Sequence, residues 1–189
     1  VTMKMRGLVS LTYAALAALS TTALAATKTW QGTTTDWETG GNWSPSGAPT
    51  PSSDVVIDGT ASAQPTLSAA DVTLASLSIS GTSSTSTLTV GKNLTISGNA
   101  SVSNNAILTY TQGAAADLTV NGTLTVYSGG TITCPYASLT VPDSGGSGRT
   151  ITAANVDMQT GATISADSQG FPVYSGPGYG DGYGGAAHG

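Results

Sequence analysis

Leu118-Thr119-Val120-Asn121-Gly122-Thr123-Leu124-Thr125-Val126 is the stretch on which the fold turns. Two triplets of the form apolar, Thr, apolar flank an Asn-Gly step. In a strand, alternate side chains point to opposite faces, so each triplet sends Leu and Val one way and a hydroxyl the other. Thr and Val are β-branched and suit a pleated backbone. The Asn-Gly step permits a sharp bend.

The triplets recur. Leu88-Thr89-Val90 and Leu94-Thr95-Ile96 stand thirty residues before Leu118-Thr119-Val120 and Leu124-Thr125-Val126. At the same offset Ser101-Val102-Ser103 falls on Thr131-Ile132-Thr133. With a shift of 32, Val156-Asp157-Met158 falls on Leu124-Thr125-Val126. Gly161-Ala162-Thr163-Ile164-Ser165 falls likewise on Gly129-Gly130-Thr131-Ile132-Thr133. A further strand per unit is read from Leu108-Thr109-Tyr110 against Leu139-Thr140-Val141, and a partial first unit from Val72-Thr73-Leu74 and Leu77-Ser78-Ile79. Units this short cannot bury their apolar faces alone, and stacking them as coils can. The expectation is an all-β chain, a parallel β-solenoid. Its expected inward columns are Leu88/Leu118, Leu94/Leu124/Val156, Ile96/Val126/Met158 and Val102/Ile132/Ile164. The alternative is a β-sandwich in which Asn121-Gly122 closes a hairpin. A sandwich does not explain a fixed offset that keeps strand identity.

Composition agrees with a regular, weakly charged surface. Of 189 residues, 31 are Thr, 24 Ser and 25 Gly, and charged residues are 8%. Five Lys and Arg against ten acids cannot make the cationic face that a nucleic-acid binder needs. A single Cys excludes a disulfide-stapled small domain. Hydrophobic residues at 39%, in ordered patterns, argue against a wholly disordered chain.

Residues 1–25 read as a secretory signal peptide. Lys4 and Arg6 precede the apolar run Gly7 to Ser20, and Ala23-Leu24-Ala25 fits a cleavage site before Ala26. That run is short for a membrane span and is followed by polar residues. Removing Lys4 and Arg6 leaves three cations, Lys28, Lys92 and Arg149, against ten acids, a balance of −7. The expected location is extracellular or on the cell surface, and the mature chain is not expected to span a membrane.

After the signal comes a distinct pattern: Trp30-Gln31-Gly32, Asp36-Trp37, Gly41-Asn42-Trp43, Gly47-Ala48-Pro49, then Asp54-Val55-Val56-Ile57. It resembles the N-terminal start of large bacterial autotransporter-like and related surface β-solenoid proteins. The Gly/Tyr-rich stretch 170–189 is similar to glycine-rich segments of such proteins. The resemblance implies a right-handed parallel β-helix led by an N-terminal cap. The expected organisation is a signal over 1–25, a Trp-containing cap over 26–60, solenoid repeats of about 30 residues over 61–169, and a tail or further coils over 170–189. The chain is expected to be part of a longer protein.

A first coil exposes an apolar cross-section, and Trp30, Trp37 and Trp43 stand where a cover is needed. The competing reading is a carbohydrate platform formed by the same three indoles. For catalysis, the acids are Asp36, Glu38, Asp54, Asp58, Asp71, Asp117, Asp143, Asp157, Asp167 and Asp181. The thirty-residue alignment puts no two in one outward column, so no catalytic residue is assigned. Asp157 reads as a solvated surface residue. No metal or other cofactor is expected: His188 stands alone in the tail, and Gly180-Asp181-Gly182 does not repeat as a Ca²⁺ motif would. Cys134, two residues after Ile132, reads as an inward thiol. Ser101, Ser103, Thr131, Thr133, Thr163 and Ser165 would stack as an outward hydroxyl array.

The expected function is therefore a non-enzymatic structural or adhesive module, with glycans or other cell-surface components as candidate partners. A polysaccharide-binding or polysaccharide-degrading β-helix is the alternative, and ice binding by the hydroxyl array a minor one.

Overall fold

The computed structural model describes residues 25–82, 84–135 and 149–166. Residues 1–24, over which a signal is expected, Leu139-Thr140-Val141, Asp143, Asp167, Asp181, His188 and the 170–189 stretch lie outside the described residues. The chain is nearly all β and forms a β-solenoid of about four turns.

The first strands are β1 (Ala26–Trp30), β2 (Trp43–Ser44) and β3 (Ser53–Ile57). β2 runs antiparallel to β1, and β3 runs parallel to it. The coils then proceed through β4 (Thr66–Leu67), β5 (Val72–Leu74), β6 (Ser76–Ser80), β7 (Ser86–Val90), β8 (Leu94–Ile96), β9 (Ala100–Ser103) and β10 (Ala106–Tyr110). β11 (Leu118–Val126), β12 (Thr131–Thr133), β13 (Ile151–Met158) and β14 (Thr163–Ser165) complete them. Apart from β1 with β2, every strand pair is parallel, as a coil returning to the same face requires.

Three faces follow from the pairing. β5, β8 and the first halves of β11 and β13 make the first. β1, β3, β6, β9 and the second halves of β11 and β13 make the second. β4, β7, β10, β12 and β14 make the third. β11 and β13 turn the corner between the first two faces without a break, which joins those faces into one nine-stranded sheet.

Alternation fixes which side chains enter. In β7 and β10 the pattern buried, half-buried, buried repeats without a slip. On the first face Val72, Leu94, Leu118 and Ile151 register in one column, and Leu74, Ile96, Val120 and Ala153 in the next. On the second, the columns are Val55, Leu77, Ala100, Leu124, Val156 and Ile57, Ile79, Val102, Val126, Met158. On the third, Leu88, Leu108, Ile132 and Ile164 register together. Leu74, Leu88, Leu94, Ile96 and Leu108 are fully buried, and each such side chain contributes roughly 1.5–3 kcal/mol relative to an exposed one.

These columns correct the expected ones. Leu118 pairs with Leu94, 24 residues back, and not with Leu88. Leu124 pairs with Ala100, not Leu94; Val126 with Val102, not Ile96; Ile132 with Leu108, not Val102. The thirty-residue offset is one coil of 24 plus one step of six between neighbouring faces, as from Leu94 to Ala100. It matched faces of the same pattern but different position. In the last coil the shift of 32 is the true register: Val156 lies on Leu124, Met158 on Val126 and Ile164 on Ile132. That coil is longer because the chain between Thr133 and Ile151 carries extra residues before returning to the first face.

Candidate functional surface

Three indoles pack together beside the first strands. Trp30, Trp37 and Trp43 are 1%, 1% and 3% exposed. Trp43 meets Trp30 edge-on at 4.9 Å between ring centroids and Trp37 at 4.7 Å, the geometry the ring quadrupoles favour. Two of the three indole N–H groups find backbone acceptors: Trp30 Nε1 donates to the Ala63 carbonyl at 2.6 Å and Trp43 Nε1 to that of Trp37 at 2.8 Å. Asn42 ties the loop by donating to Thr34 Oγ1 and the Asp36 carbonyl, each at 2.8 Å. Stacking on a sugar needs an exposed ring face, and these rings have none. The three Trp form one buried, edge-on cluster beside the first strands.

Asp36 and Glu38 lie beside this cluster. Hydrogen bonds from Thr39 Oγ1 at 2.6 Å and the Glu38 amide at 3.1 Å hold the Asp36 carboxyl below its usual range. Burial pushes Glu38 above its range, with neighbouring Asp36 adding to the rise and the Ala69 amide opposing it. Neither Glu38 carboxylate oxygen makes a well-formed hydrogen bond among the described residues.

Hydroxyls line all three faces, but not as the sequence grouped them. Thr131, Thr133, Thr163 and Ser165 do come together, with Thr131 beside Thr163 and Thr133 beside Ser165. Ser101 and Ser103 belong to the second face, next to Ser78 and Ser80, with Thr125 on the other side of Ser101. Their place on the third face is taken by residues that the thirty-residue offset hid. Thr66, Thr89, Thr109, Thr133 and Ser165 form one column, and Thr87, Ile107, Thr131 and Thr163 the other. On the first face Thr73, Thr95, Thr119 and Thr152 register in a single column. Successive rungs lie about 4.8 Å apart, and Thr-X-Thr within a strand spans about 6.7 Å.

Two acids do share a column, against the sequence alignment. Just before the first face, Asn93 donates from its amide N to Asp71 Oδ1 at 2.9 Å and from Nδ2 to Asp71 Oδ2 at 3.1 Å. Asn93 Oδ1 accepts from the Asp117 amide at 3.1 Å, and Asp117 Oδ1 from that of Thr150 at 3.0 Å. The carboxylates are one coil away from Asn93 on either side and serve as backbone acceptors. Their signal was legible as an Asp or Asn one residue before Val72, Leu94 and Leu118. Asp157 is exposed, on the Thr125 column.

A second corner holds Tyr110, Cys134 and Arg149. The Arg149 guanidinium sits 4.9 Å over the Tyr110 ring. It donates to the carbonyls of Thr111 at 2.7 Å, Pro135 at 2.9 Å, Ala116 at 3.3 Å and also Ala114. Burial raises the Tyr110 hydroxyl far above its usual range, and the hydroxyl has no partner among the described residues. Cys134 is half-buried, more open than an inward core position, and burial raises its thiol while Arg149 opposes the rise. A thiol so shifted is not an activated nucleophile. Among the described residues no group of three or more His, Cys, Asp or Glu could hold a metal ion, and no helix is long and apolar enough to cross a membrane.

No curated protein and no solved structure matches the chain. A family model described as a domain of unknown function, DUF8693, matches residues 29–134, from the Trp cluster to the half-buried thiol. With more than half of its 189 residues matched, the chain belongs to that family of unknown function.

Proposed function

We propose that this chain is a non-enzymatic structural or adhesive module of an exported bacterial surface protein. The observation that carries the reading is the set of in-register hydroxyl columns laid over a continuous apolar interior. Most outward positions repeat a hydroxyl from the coil below, with Ile107 and Asp157 among the exceptions, so the described outside offers a repeated, rigid, hydrogen-bonding surface. Such a rod spaces or presents contacts to glycans or other surface components by repetition. The signal-like N-terminus and the resemblance of residues 30–57 to autotransporter-like proteins support export and a bacterial surface location. The test displays the full chain on cells and measures retention on glycan-coated surfaces. Retention that falls when Thr89, Thr109 and Thr133 are together changed to Ala supports the reading. Release of new sugar ends from neutral or uronic-acid glycans overturns it in favour of a polysaccharide-degrading enzyme.

A second reading is favoured by the third face, where Thr-X-Thr in β7 and β12 repeats in register with Thr109 and Thr66. Repeated hydroxyls at two fixed spacings suit an ordered lattice such as ice. Ile107 interrupts one of the two columns. Thermal hysteresis at high protein concentration tests this reading, and its absence rejects it.

A further inference from the structure

The corner between the first and second faces carries Asn121-Gly122-Thr123, which has the form Asn-X-Ser/Thr, the acceptor sequence for asparagine-linked sugar. The chain holds seven Asn, and four stand in this form: Asn42 before Ser44, Asn93 before Thr95, Asn99 before Ser101 and Asn121 before Thr123. In a chain rich in Ser and Thr the motif alone selects none of them. The structure separates them.

A sugar can be added only to a carboxamide nitrogen that an enzyme reaches. Asn42 is 3% exposed, and its Nδ2 donates to Thr34 Oγ1 and to the Asp36 carbonyl. Asn93 is exposed but held at both ends, since Nδ2 donates to Asp71 Oδ2 and Oδ1 accepts the Asp117 amide. Asn99 Oδ1 accepts the Thr123 amide at 2.9 Å, which fixes that carboxamide against the next coil. Asn121 is exposed, and its carboxamide makes no hydrogen bond among the described residues.

The backbone presents Asn121 in this way. β13 sets Ala154 alone against Asn121 and Gly122, in the register shift between Val120 and Thr123. A bulge of this kind leaves its extra residue out of the ladder and re-aims the side chain. Val120 and Leu124 are buried, so Asn121 and Thr123 stand on the outer side with only Gly122 between them. A Cβ on Gly122 would run into the Gly98 carbonyl and Asn99 Oδ1, so the corner needs glycine. The Gly122 N–H donates to the Gly98 carbonyl at 2.9 Å. That bond opposes its attack on the Asn121 carboxamide, the reaction by which Asn-Gly steps deamidate.

We propose that Asn121 is an asparagine-linked glycosylation site, taking a sugar activated at C1 through a phosphate or pyrophosphate group. The bond from Asn121 Nδ2 to C1 forms, the bond from C1 to the phosphate oxygen breaks, and one amide proton leaves with the released phosphate. The sugar stands at the corner between the first and second faces and leaves the Thr columns of the third face open. The proposal does not depend on what the rod binds.

The full chain purified from the cells that make it, digested and read by fragmentation mass spectrometry, tests this. Sugar mass is expected on Asn121, and none on Asn42 or Asn93. Thr123→Ala removes the motif hydroxyl and is expected to abolish the added mass, whereas Thr123→Ser is expected to keep it. Thr123 bonds to Asn99 through its backbone amide, so both variants are expected to keep the parent circular dichroism spectrum. Sugar-free chain from a host without such enzymes is then incubated with soluble or membrane fractions of the native cells. Labelling by the soluble fraction with a nucleoside-diphosphate sugar marks a nucleotide donor, and labelling by the membrane fraction alone marks a lipid-linked one. Labelling by neither overturns the proposal. So does an unmodified Asn121 in the native protein, its conversion to Asp, sugar on Asn42 or Asn93 in its place, or sugar that survives Thr123→Ala.

Discussion

The side-chain oxygen of Asn93 accepts the backbone N–H of Asp117 at 3.1 Å, one coil further along the solenoid. Asn93 in turn donates twice to Asp71, one coil back. A corner must interrupt the ladder of backbone bonds, and this column of side chains supplies the missing acceptors. Asn93→Ala is expected to lower stability by about 1–2 kcal/mol, read as a lower urea midpoint. Asn93→Asp keeps the acceptor for Asp117 but sets three carboxylates in one column. It should be destabilised at low salt and partly recovered at high salt.

Coil register can be read directly. Thr95 pairs with Thr119 in the first face, and parallel neighbours about 4.8 Å apart suit a disulfide. Thr95→Cys with Thr119→Cys, in a Cys134→Ser background, is expected to crosslink within one chain. Thr89→Cys with Thr119→Cys, the pair that a thirty-residue coil would stack, is expected to stay reduced. The reverse result would restore the longer repeat.

Gly32 lies against the Trp30 indole, and a Cβ there would run into the ring and the Thr34 carbonyl. Gly32→Ala is expected to push the ring aside, strain its bond to the Ala63 carbonyl and cost about 1–3 kcal/mol. A red-shifted tryptophan emission together with a lower melting temperature would show it. An unchanged spectrum would mean that the cluster is looser than its packing indicates.

Arg149 pins the 111–116 loop through the carbonyls of Thr111, Ala114 and Ala116. Lys keeps the charge and cannot reproduce the planar fork. Arg149→Lys is therefore expected to raise amide exchange across 111–116 and to cost about 1.5–3 kcal/mol. Exchange in β7, on the third face, should not change.

Glu38 makes a pH prediction. Its carboxyl is raised in the folded chain by burial, so the folded state holds the proton more tightly than the unfolded one. Between the ordinary glutamate range and the raised value the folded state carries more protons, and stability falls as pH rises. Above both values that loss is complete. Glu38→Gln removes the ionisation and is expected to melt higher than the parent near neutral pH. The two curves should converge below the ordinary glutamate range. A gap that stays constant with pH would place the effect outside ionisation.

Much of the fold was legible because period-2 alternation leaves little choice. Leu94-Thr95-Ile96 must put Leu and Ile on one side, and the structure buries both. Three Trp just ahead of the first triplets stood out too, and they pack edge-on against one another. The stacking partners were less so. Triplets on all three faces share one pattern, so the chain can be slid by one face and still match itself. The array of Ser101 with Thr131 came from that slip, and so did the failure to see Asp71 and Asp117 in one column.

The sequence by itself determined that strands would be short, alternating and stacked, because β-branched and apolar residues recur between bends. Tertiary structure alone decided which strand lies on which. Neighbour identity depends on the path length around each coil, 20 residues from Leu88 to Leu108 and 33 from Leu118 to Ile151, and bends and loops set that length without a strong pattern of their own. It alone decided, too, that the three Trp are buried and that Val156, Met158 and Ile164 are not. Exposure belongs to position in the stack: the same apolar column is core where a coil covers it and surface at the last described rung.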